Sequence, residues 1–181
     1  MTRDLLVALG RIVPKPWMAA KEQATRLGGK TQGFLAAVAN KLVGELSAVD
    51  SGFQFHVNQI GVPEAGIKAI SRELRFDPDL TQYSLGYRLM LTAPSGANGV
   101  IVIAFHGLGT KFQGVIGASA YFQLEPQQPA APSEPKRPTA LMDDVFRIGF
   151  EDAPNELDGR FTKWLETCAM SGITRWRHTL V

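Results

Sequence analysis

Residues 85–105 carry the pattern that most restricts the fold. Leu85, Tyr87, Leu89 and Leu91 alternate with Gly86, Arg88, Met90 and Thr92, the period-two signature of a strand with one buried face. A turn-rich break from Pro94 to Gly99 separates that run from Val100–Phe105, which is apolar at every position. Two such runs read as an antiparallel hairpin whose loop is longer than the minimal two residues. A strand apolar on both sides must be covered on both faces, so 100–105 is expected to be central, with helices over it.

The rest of the chain supplies the layers. Phe53, Phe55 and Val57 alternate with Gln54, His56 and Asn58, another strand pattern. Residues 112–124 read as a third strand of the meander, with Gly114 and Gly117 marking a bulge or a close backbone approach. Helical spacing of Leu5, Leu9, Ile12 and Val13 predicts a helix over 3–13, stopped by Pro14 and Pro16. A second is expected over 17–27, ended by Gly28-Gly29. Thr31 is a candidate N-cap for a third, with Leu35, Val38, Leu42 and Leu46 on one stripe. Pro63 fits the first position of a fourth, reaching about residue 75. Helices and strands are partly segregated along the chain, which points to an α+β fold: an antiparallel sheet of about four strands packed by N-terminal helices.

Residues 124–138 are rich in proline and lack apolar periodicity, so they read as a semi-rigid tether. The expected organisation is a core domain over 1–123, a linker over 124–138 and a C-terminal helical segment over 139–181. Asn155 is the expected N-cap of an amphipathic helix carrying Leu157, Phe161, Trp164, Leu165 and Cys168 on one face. Ile173, Trp176 and Leu180 extend that stripe past Gly172, where the helix is expected to bend or break.

Composition sets limits. With 45% apolar and 20% charged residues in 181, the chain can bury a core without disulfides or metals. Cys168 is the single cysteine, which excludes an intramolecular disulfide and a cysteine-based zinc cluster. Asp4 and Arg11 interrupt the first apolar run, unlike a secretory signal, and no stretch is long enough for a membrane span. A cytoplasmic protein is expected. Residues 1–42 carry seven Lys or Arg against Asp4 and Glu22, a local excess of five positive charges. Such an end can attract phosphate or an acidic partner, but its ordinary reading is the solvated face of helices.

Candidate chemistry is incomplete at each place it arises. Gly28-Gly29-Lys30-Thr31 echoes the end of a phosphate-binding loop, but Ala24 stands where that pattern needs glycine. Gly107, Gly109, Lys111 and Gly114 follow a strand, yet what comes next reads as strand and not as the helix a dinucleotide site requires. His56 and His106 lie on or beside strands and share no short ligand spacing with each other or with His178, so no metal or cofactor is expected. Cys168 falls on an apolar stripe, where cysteine acts as a small hydrophobe. No catalytic residue is assigned.

The expected function is accordingly a non-enzymatic interaction or adaptor protein. Phe161, Trp164, Leu165 and Trp176 are the expected docking residues of the tethered helix, toward a protein partner or a second copy. An amphipathic helix of this kind needs a surface on which to bury its stripe, either the chain's own sheet or that of a partner or second copy. One alternative is a small enzyme binding a nucleotide or phosphate ligand through Lys30, Thr31, His106 and Lys111. Another is an accessory nucleic-acid-binding protein using the basic N-terminal helices, with an affinity that falls steeply with salt.

Overall fold

The N-terminal periodicity resolves into one long helix. In the computed structural model of the chain, which describes residues 2–3, 15–60, 84–108, 114–125 and 138–181, α1 runs without interruption over Lys15–Leu42. It continues into one π-helical turn, Val43–Ser47. Pro16 lies in the first turn, where its missing N–H has no intrahelical partner to lose. Gly28-Gly29, expected to end a helix, sits in the interior of this one. Thr31 is not a cap: its hydroxyl donates to the Leu27 carbonyl at 2.9 Å, the back-bonding open to a mid-helix threonine. The expected helices over 3–13 and 63–75 lie outside the described residues, apart from residue 3.

Six strands form one antiparallel sheet among the described residues, more than the four or so expected. They are β1 (Gln54–Ile60), β2 (Ser84–Thr92), β3 (Asn98–Leu108), β4 (Val115–Glu125), β5 (Thr139–Ala140) and β6 (Phe146–Gly149). The order is β1-β2-β3-β4-β5, with β6 also pairing β4. The hairpin of β2 and β3 is in place, with Leu85 opposite Phe105 and Leu91 opposite Gly99. Its turn passes through Gly96 at φ 79°, a conformation that glycine adopts without steric cost. The two added strands come from a stretch expected to belong to a helical segment. β5 is only two residues long and β6 only four, too short for an alternating pattern to show.

α2 spans Pro154–His178. Asn155, the expected N-cap, lies within it, and Ala153 takes the cap position with no side-chain cap bond. Glu156 in the first turn and Arg175, Arg177 and His178 in the last suit the helix dipole. Gly172 does not end the helix, which runs through it.

Strand parity divides the core. Leu89, Leu91, Ile101, Ile103, Phe105, Ile116 and Phe122 face both helices and form the main cluster with them. Val100, Val102 and Ala104 point to the other face, where Ile60, Met90 and Tyr121 pack beside them. β3 is thus buried on both sides, as its uninterrupted apolar run requires. No described helix is long and apolar enough to cross a membrane.

Candidate functional site

The aromatic stripe of α2 is seated on the chain's own sheet. Phe161 and Trp176 are fully buried, and Leu165 and Trp164 are 2% and 8% exposed. Phe161 stacks with Trp164 at 5.6 Å between centroids and meets Phe105 of β3 and Phe146 of β6. Trp176 stands edge-on to Phe53 and Phe55 and donates its indole N–H to the Ala97 carbonyl at 2.7 Å. All four expected docking residues therefore meet internal partners, and that face of the helix is not open to another molecule in this arrangement.

The expected phosphate-ligand residues do not converge. Lys30 pairs with Asp158, which also receives Arg26. These two cations hold the Asp158 carboxyl below its usual range, Lys30 by its hydrogen bond above all. Thr31 is buried on α1, on the helix-covered side of the sheet. His106 lies on the opposite face, in line with Val102 and Ala104, and Lys111 lies outside the described residues. Of the basic N-terminal residues, Arg26 and Lys30 are engaged by Asp158 and so are partly neutralised toward any nucleic acid.

His106 has one notable neighbour, which lies thirteen residues away in sequence: its Nε2 is 2.8 Å from Ser119 Oγ on β4. Burial lowers its pKa to about 4, against a backbone hydrogen bond at Gly107 that raises it, so the imidazole is neutral at neutral pH. His106 and Ser119 are each 2% exposed, which suits an internal hydrogen bond and not a nucleophile reached by substrate. His56 does not approach this pair. It is opposite Met90, which is opposite Val100, six residues or roughly 20 Å along β3 from His106. No group of three metal-ligating side chains forms among the described residues. Cys168 packs on the helix side, away from His106, and burial pushes its thiol up to about 12.

Among the described residues, one open feature of the surface is a groove between the helices. Gln23 reaches the Asp152 carbonyl, Arg26 reaches Asp158, and Arg177 reaches Glu45 at 3.0 Å. The contact residues rise together along both helices, so α1 and α2 run parallel over the same face of the sheet. The partners at both ends are 132 residues apart in sequence, which puts Val38 level with Met170. Between the two pins the helices enclose a hollow of about 440 Å³, lined on one side by Phe34, Val38 and Leu42 and on the other by Ala169, Met170 and Ile173. Lys41, Glu45, Glu166 and Arg177 stand around it. Met170 projects from one wall, 69% exposed.

The groove was hidden from the sequence by the stronger stripe beside it. Its signal is nevertheless present: positions 34, 38, 41 and 45 on the first helix repeat the spacing of 166, 170, 173 and 177 on the second. Comparison with family models, curated proteins and solved structures finds no match to this chain.

Proposed function

We propose that this chain is a protein-docking module, not an enzyme, and that it docks through the groove between α1 and α2. The observation that carries this reading is Met170, a large apolar side chain left 69% exposed beside a hollow lined by Phe34, Val38 and Ile173. The shape and apolar lining suit the apolar edge of a helix laid between two others. The charged residues around the hollow are of both signs, which favours a protein surface over a polyanion. In this reading the aromatic stripe anchors α2, and the adjoining edge of the same helix does the docking.

A photo-activatable residue at position 170, in the full-length chain in its native cells, tests the reading. Glu156, exposed at the far end of α2, is the control position. A discrete protein adduct at 170 and not at 156 is expected. Equal or absent labelling at the two positions would overturn it.

A further inference from the structure

We infer that the occupant of the groove is α2 of a second copy of this chain, turned end for end about a two-fold axis. The inference rests on the docking reading above and names the partner. The open edge of α2 reads Glu166, Met170, Ile173, Arg177. Its spacing, four then three then four residues, is the alternation of a helix–helix seam. The same spacing read backwards is unchanged, and the charges at its ends are opposite. An antiparallel copy therefore sets Glu166 against the other copy's Arg177, Met170 against its Ile173, and repeats both contacts by symmetry. An isologous interface demands this kind of self-complementary patch.

The individual side chains fit these roles. Met170 is exposed, unbranched and able to fill an irregular hollow, and the hollow lies next to it on the same molecule. Two copies thus exchange a knob for a hole. Glu166 lines the hollow and makes no ion pair among the described residues. Arg177 pairs with Glu45 while its side chain is 47% exposed, and a guanidinium with five N–H donors can serve a second carboxylate. A partner helix of uniform charge would meet one matched end and one repelling end.

Sedimentation of the full-length chain over about a hundredfold range of concentration decides the matter. The expected result is a monomer–dimer equilibrium between 19.7 kDa and twice that mass. Met170→Asp should abolish the dimer while circular dichroism stays unchanged, since the side chain is mostly outside the fold. Glu166→Arg and Arg177→Glu should each raise the dissociation constant at least about tenfold, because two like-charge contacts replace two attractive ones. Combined with Glu45→Arg, which keeps an intramolecular pair at position 177, the double variant with the charges exchanged should restore dimerisation. A chain that stays monomeric throughout, or a dimer indifferent to Met170→Asp, overturns the inference. If the monomeric chain still gives a discrete adduct to a different protein at position 170, docking through the groove stands and self-association falls. If no adduct forms either, both fall.

Discussion

Adjacent glycines in α1 should respond to alanine in opposite ways. Gly29 is exposed, and a Cβ placed there meets nothing within 4 Å. Gly29→Ala should therefore stabilise the chain by about 1 kcal/mol, the helix-interior difference between the two residues. Gly28 faces the sheet, where a Cβ would lie 2.8 Å from the Tyr87 hydroxyl, 3.2 Å from its ring and 3.3 Å from Leu85 Cδ2. The same propensity gain then meets an overpacking cost of about 1–3 kcal/mol. Gly28→Ala should be neutral at best and destabilising by about 2 kcal/mol at worst. The gap between the two variants, about 1–3 kcal/mol, isolates the packing term because the propensity term cancels.

Urea titration at constant m-value measures both variants, and thermal midpoints should differ by roughly 2–4 °C for each kcal/mol in a chain of this size. A cycle with Tyr87→Phe removes the nearest atom, so it should recover part of the loss from Gly28→Ala without altering the gain from Gly29→Ala. Equal stabilisation by both alanines would refute the seating of α1 on β2. Destabilisation by Gly29→Ala would refute the continuous helix and favour a break at the glycine pair.

The remaining predictions concern buried groups. His106 has a folded-state pKa of about 4 against an ordinary 6.5, so the unfolded chain binds the extra proton. The stability this gives is complete above pH 6.5 and is lost as pH falls toward 4, by up to about 3 kcal/mol; urea midpoints should drop less steeply with acid in His106→Asn than in the parent. Trp176→Ala should cost about 3–5 kcal/mol by removing a fully buried indole. Trp176→Phe should cost less, through the lost bond to the Ala97 carbonyl, and equal losses in denaturant titration would show that the ring's packing is not the main term.

What could be read from the sequence follows the strength of each periodic signal. β2 and β3 were legible because alternation and a doubly apolar run extend over enough residues to exclude other readings. α1 was legible in its stripe but not in its length. Glycine pairs ordinarily end helices, and only the approach of Tyr87 and Leu85, distant in sequence, explains why a small residue sits at position 28. Gly172 follows the same logic, since a Cβ there would lie 2.6 Å from Ile101 Cδ1. β5 and β6 are too short for a pattern, and their pairing to β4 follows from tertiary contact alone. The hydrogen bond of His106 to Ser119 was equally out of reach, because it depends on the register between β3 and β4.

The C-terminal helix shows why a strong apolar stripe is poor evidence of a docking site. Leu157, Phe161, Trp164, Leu165, Cys168 and Trp176 bury almost completely against the sheet, and such a stripe is what a core helix needs. A docking edge must remain acceptable to water in the free chain, so it holds fewer and more isolated apolar groups. Glu166, Met170, Ile173 and Arg177 meet that requirement, with two apolar residues between two charges. The weaker pattern on this helix is therefore the better candidate for recognition, because the stronger one is consumed in holding the helix in place.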